Sequence, residues 1–92
     1  MQKLHSHKDK RSLVLRLKRI EGQLRGIQQL IESEVDCEAI AQQLAAARRA
    51  LDKTFHVMVA CALDHQLANQ SGVTPGLQKK IEHISAILTR YA

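Results

Sequence analysis

The chain has 92 residues, a formal net charge of +5, and only two aromatic residues, Phe55 and Tyr91. That length allows one domain, spanning 1–92, with a modest core built from Leu, Ile, Val and Ala, and it favours oligomerisation as a route to stability. No segment approaches the roughly 20 apolar residues a membrane span needs, and the basic start MQKLHSHKDKR is not followed by a signal-peptide apolar block, so a cytoplasmic protein is expected.

Residues 1–10 are polar and charged, carry His5 and His7, and are expected to form a mobile arm. From about Ser12 to Glu32 the apolar residues are Leu13, Leu17, Ile20, Leu24, Ile27 and Ile31, in steps of 4, 3, 4, 3 and 4. This heptad-like seam predicts a helix suited to an antiparallel bundle. Gly22 and Gly26 lie four apart on one face, where they either permit close approach of another helix or are simply tolerated.

Ser33-Glu34-Val35-Asp36 is a short polar connection of the kind that joins antiparallel neighbours. The stretch from Asp36 to Gln70 contains no Gly or Pro and reads as one long helix. Its apolar residues Ile40, Leu44, Ala47, Leu51, Phe55, Met58 and Ala62 keep near one stripe. Asp36 is the expected N-cap, which puts Cys37 in the first turn. After the break at 71–76, Thr74 and Pro75 form a cap and first-position pair. They open a last helix over about 75–91, with Leu77, Ile81, Ile84, Leu88 and Tyr91 on one stripe. The fold expected is all-α, with three helices and a long central one. Pairing of the first two helices of two protomers would make a four-helix bundle.

Charge is concentrated at the front. Residues 1–25 hold eight basic residues against Asp9 and Glu21, a net +6, leaving −1 for the rest. On a small helical protein this is either an electrostatic footprint for phosphates or a solvated helix face. The chain lacks a Gly-rich phosphate loop, a nucleophile elbow and any triad-like grouping, so it is not expected to be an enzyme.

The thiols and imidazoles carry the remaining chemistry. Cys37, at a helix N-terminus, feels the positive end of the dipole, which favours thiolate, while Asp36 and Glu38 oppose it. Cys61 and His65 are spaced i, i+4 on one face, compatible with two metal ligands or with a core thiol beside a solvated imidazole. Cys37 and Cys61 are 24 positions apart, roughly 36 Å along a straight helix. An intrachain disulfide is thereby excluded, and joint chemistry would have to cross between subunits.

The element RLKRIEGQLRGI, followed by Cys37 opening EAIAQQLAA, resembles the copper-, nickel/cobalt- and formaldehyde-sensing repressors of bacteria, the CsoR/RcnR/FrmR family. The likeness covers nearly the whole chain. It implies helical dimers that pair into tetramers, bind double-stranded operator DNA through a basic face, and release it when an effector binds. Arg16 and Lys53 match positions used for DNA in relatives; Lys18, Arg19, Arg48 and Arg49 are added on charge. Metal sensors of the family supply, from the partner subunit, ligands 25 and 29 positions beyond the cysteine matching Cys37. Here those positions are Ala62 and Gln66, so a copper site of the usual kind is absent, and so is the second cysteine of persulfide sensors. Formaldehyde sensors share the Cys37 position but also use an N-terminal proline amine, where Gln2 stands here. His5 matches the N-terminal histidine of the nickel/cobalt sensors, and His65 lies beside Gln66. The resemblance therefore implies a repressor released by a non-copper effector read at Cys37, a transition metal such as nickel or cobalt helped by His5 or His65, or a thiol-reactive species engaging Cys37 and Cys61. A member with degenerate sensing, and a helical scaffold that does not bind DNA, are the alternatives.

Overall fold

The computed structural model describes Leu4 and residues 6–68 and 74–91, with residues 65–68 described by their backbone. Three helices account for nearly all of it: α1 (His7–Glu32), α2 (Cys37–Ala68) and α3 (Pro75–Tyr91). With 32 residues, α2 runs about 48 Å at 1.5 Å per residue and sets the long dimension of a 57 × 26 × 17 Å body.

Each helix start has a local cause. Ser6 caps α1, its hydroxyl accepting from the Asp9 N–H at 3.3 Å, while the Lys10 N–H reaches the Ser6 carbonyl at 3.0 Å. The helix thus begins five residues earlier than periodicity suggests, and residues 7–10 of the expected arm form its first turn. The sequence Ser6-His7-Lys8-Asp9 has the capping-box pattern, and Asp9 complements the helix dipole. Asp36 caps α2 as expected, its carboxylate accepting from the Ala39 N–H at 2.9 Å. Thr74 caps α3 through the Leu77 N–H at 3.1 Å, with Pro75 at the first position, where no N–H is needed.

Helix α1 ends at Ser33, whose hydroxyl donates to the Leu30 carbonyl at 3.1 Å. Glu34 then takes φ 60°, the left-handed step that turns the chain back into α2. The pair is antiparallel, since Asp9 near the start of α1 meets Cys61 near the end of α2. Helices α1 and α3 each pack on α2 and, among the described residues, not on one another.

The core is thin. It consists of Leu13, Ile20 and Ile27 of α1, Ala47 and Val59 of α2, and Leu77 and Ile84 of α3. Thr54 is buried with them, and its hydroxyl is satisfied by donating to the Ala50 carbonyl at 2.8 Å. Only alternate members of the expected α1 seam are buried. Leu17, Leu24 and Ile31 are 43%, 40% and 55% exposed, and Leu44 and Leu51 of the α2 stripe 49% and 46%. The reason is geometric: two helices cover one line of contact, and residues three positions before it sit about 60° to one side. Tyr91, placed on the α3 stripe by spacing, is likewise exposed. Gly22 and Gly26 meet no close neighbour within the chain: a Cβ at Gly22 would find only Arg25 Nη2 at 3.9 Å, and one at Gly26 nothing within 4 Å. No helix among the described residues is long and apolar enough to cross a membrane.

Candidate nucleic-acid interface and sensing cysteine

The side of α1 opposite exposed Leu17 and Leu24 is basic. Relative to buried Ile20, Leu17 lies about 60° to one side, whereas Arg16, four residues back, lies about 40° to the other. On that second side a hollow of about 220 Å³ opens at the α1–α2 seam, lined by Arg16, Arg19, Ile20, Gln23, Ala50, Lys53 and Thr54. Three residues separated in sequence by up to 37 positions, Arg16, Arg19 and Lys53, therefore line one concave surface. Ile20, Ala50 and Thr54 complete its lining between the two helices. Arg16 is half-buried, while Arg19 and Lys53 are exposed.

No carboxylate lines this hollow. Three unopposed cations with low-dielectric walls make a focused positive potential, suited to phosphate oxygens. The Gln23 amide adds a neutral donor. The chemistry offered is anion binding; the hollow holds no nucleophile or general base.

The other basic candidates divide by helix geometry. Arg49 precedes Lys53 by four residues and shares its face, about 40° away. Arg48 is about 140° from Lys53, and Lys18 about 160° from Arg16, so both are carried away from the hollow. Charge alone could not separate these, since neighbours in sequence point in different directions on a helix.

Cys37 is exposed at the first position of α2. Cys61 is half-buried near the other end, and its thiol is pushed up in pKa by burial, by a hydrogen bond to the Asp9 carboxylate, and by the negative charge of Asp9 and Asp64, with Arg16 opposing. The two cysteines stand at opposite ends of the long helix. His65 lies on the Cys61 end, described by its backbone only, and His5 lies outside the described residues. Among the described residues, then, Cys61 stands far from Cys37 in the same protomer.

The described donors alone do not make a metal site within a single chain. Among the described residues no three of His, Cys, Asp and Glu converge, and Ala62 offers no donor atom.

One contact escaped sequence reasoning. Asp9, counted only as an opposing charge, holds Cys61 and ties the first turn of α1 to α2. The Ser6–Asp9 capping pattern was the signal that this turn is ordered.

The chain matches a family model described as metal-sensitive transcriptional repressor over residues 9–90. It is similar to the transcriptional repressor RcnR of Citrobacter koseri, 28% identical over 67 residues, covering 73% of this chain and 74% of the relative. It is also similar to the copper-sensing transcriptional repressor CsoR of Bacillus subtilis, 46% identical over 46 residues, half of this chain and 46% of that one. Among solved structures, a variant of the formaldehyde-responsive regulator FrmR from Salmonella enterica serovar Typhimurium superposes with a TM-score of 0.77 at 32% identity, covering 96% of this chain and 99% of that one.

Proposed function

Because this chain belongs to the metal-sensitive transcriptional repressors, we propose that it binds double-stranded operator DNA through the Arg16, Arg19 and Lys53 hollow and is released by a small effector acting at Cys37. The observation that carries the reading is the convergence of those three cations, from two helices, with no carboxylate among them. Phosphate contacts of this kind position a protein on a duplex and make its affinity fall steeply with salt. The protein acts as a regulator, not a catalyst, and works in the cytoplasm as a homodimer that pairs into a tetramer.

Two effector classes follow from the thiol. An exposed Cys37 can add to an electrophilic carbonyl such as formaldehyde: the sulfur–carbon bond forms, and the thiol proton passes to the carbonyl oxygen. That reaction uses the Cys37 thiol, but the proline amine that formaldehyde sensors add is replaced here by Gln2. A soft or borderline cation, nickel or cobalt before copper, needs the imidazoles of His5 or His65 from a second copy beside Cys37. The antiparallel pairing of α1 and α2 puts the N-terminal end of α1 beside the Cys61 end of α2, opposite Cys37. Two protomers packed head to tail would therefore bring the Ser6 end of α1 and the Cys61 end of α2, near which His5 and His65 stand in sequence, to the partner's Cys37 end.

Electrophoretic shift of the protein's own promoter tests the DNA reading. Arg16→Ala and Lys53→Ala should each weaken binding, and full retention in both sinks it. Titrating Ni²⁺, Co²⁺, Zn²⁺, Cu⁺, formaldehyde and a persulfide donor against the complex tests the sensor. Cys37→Ala should abolish release by whichever effector works; a fully inducible Cys37→Ala moves the sensor elsewhere.

A further inference from the structure

The basic surface continues past the α1–α2 seam. A second hollow of about 310 Å³ is lined by Lys8, Arg11, Ser12, Leu15, Arg16 and Arg19, all of α1. It shares Arg16 and Arg19 with the seam hollow, so the two adjoin, and together they form a basic trough along α1. From Lys8 to Gln23 the trough follows α1 for about 22 Å.

Its charge is of one sign. Neither hollow has a carboxylate in its lining. Asp9 is the acid nearest the first turn, but it is half-buried and accepts from Cys61 of α2. Glu21 lies about 160° around α1 from Arg19. Lys8 lies about 20° around α1 from Arg19 and Arg11 about 80° from it, on the far side of Lys8, and all three side chains line the second hollow. Capping by Ser6 makes this stripe part of an ordered helix.

We propose that Lys8 and Arg11 bind phosphates of the same DNA duplex that Arg16, Arg19 and Lys53 contact, so that the trough tracks the sugar–phosphate backbone along α1. The inference rests on the DNA-binding reading and extends it into the first turns of the helix. The trough is long enough to span several consecutive phosphates of one strand, and five cations line it. The contacts are to backbone and carry no sequence preference of their own.

The test is fluorescence anisotropy of a labelled duplex from the protein's own promoter, titrated with the full-length protein across a series of KCl concentrations. Removing one cation from a phosphate lowers the slope of log K against log salt by about 0.9 per protomer engaged. The double variant Lys8→Ala/Arg11→Ala should lower the slope about twice as much as Arg16→Ala, whatever number of protomers touches the DNA. The charge-preserving exchange Lys8→Arg/Arg11→Lys should keep the wild-type slope, which guards against a folding artefact. A charge-matched control on α3, Lys80→Ala/Arg90→Ala, should keep it too. If the double variant keeps the wild-type slope while Arg16→Ala flattens it, Lys8 and Arg11 face solvent and the proposal falls with the DNA reading intact. A control that flattens the slope as much as the double variant also overturns it, because net charge is then responsible. A wild-type protein with no salt-dependent duplex binding removes the DNA reading itself.

Discussion

The Cys61 thiol donates a hydrogen bond to the Asp9 carboxylate, joining the first turn of α1 to the far end of α2. Burial and the Asp9 charge both favour the neutral thiol, so Cys61 should be the sluggish cysteine and exposed Cys37 the prompt one. In a Cys37→Ala background, Asp9→Asn should speed alkylation of Cys61 by iodoacetamide at pH 8. An unchanged or slower rate would show that Asp9 does not hold the thiol.

The same shift has a pH signature. A thiol whose pKa is raised by folding stabilises the native state fully below the ordinary thiol value of about 8.5, and loses that contribution as pH rises from there through the raised folded-state value. The stability advantage of the wild type over Cys61→Ala should therefore narrow between pH 7 and pH 10. Thermal unfolding at several pH values measures it, and a constant difference would contradict the assignment.

Glu34 holds φ 60° in the turn between α1 and α2. A side chain there costs about 1–2 kcal/mol that glycine avoids, less the chain entropy glycine brings. Glu34→Gly should raise stability by about 1 kcal/mol, about 4–8 °C in Tm for a domain of this size. A lower Tm would mean that the Glu34 side chain makes a contact worth more than its backbone strain.

Gly26 lies inside α1 with open space where its Cβ would be. Alanine there should stabilise the helix by about 1 kcal/mol, read as a higher midpoint in urea. A lower midpoint would locate a second copy packed against this point, since nothing within the chain approaches it.

Much of this was legible in the residues. Asp36, Thr74 and Pro75 announce their helices by local chemistry, so the starts of α2 and α3 fall where the sequence puts them. The start of α1 was legible too, in Ser6 and Asp9, but a run of charge obscured it. What the sequence could not separate is which flank of each seam is covered. Leu17 and Ile20 look alike to periodicity, yet only Ile20 is buried, because burial depends on where the second helix crosses. Arg16 and Lys18 are equal as charges and differ only in direction. Pairing Arg16 with Lys53 depends on the register of α1 on α2, which no local signal carries.

That uncovered flank yields the last prediction. Arg16 and Gln23 share a hollow with Ala50 and Lys53, so Leu17, Leu24 and Ile31 on the other flank of α1 share the opposite side with Leu44 and Leu51 of α2. Five large apolar side chains 40–55% exposed on one side of a 92-residue chain are more than a small monomer leaves bare. A second copy pairing its own α1 and α2 there would bury them. It would also leave both basic troughs facing outward, free to meet DNA. Leu24→Glu or Leu51→Glu should therefore break the assembly. Each leucine contributes about 1.5–3 kcal/mol on full burial, and a two-fold interface counts it twice, so association should weaken by about a hundredfold or more. Sedimentation velocity at micromolar protein should show monomer in place of the wild-type species, with the helical signal reduced because the thin core depends on the partner. A variant that sediments as the wild type does would show that this face is not the interface.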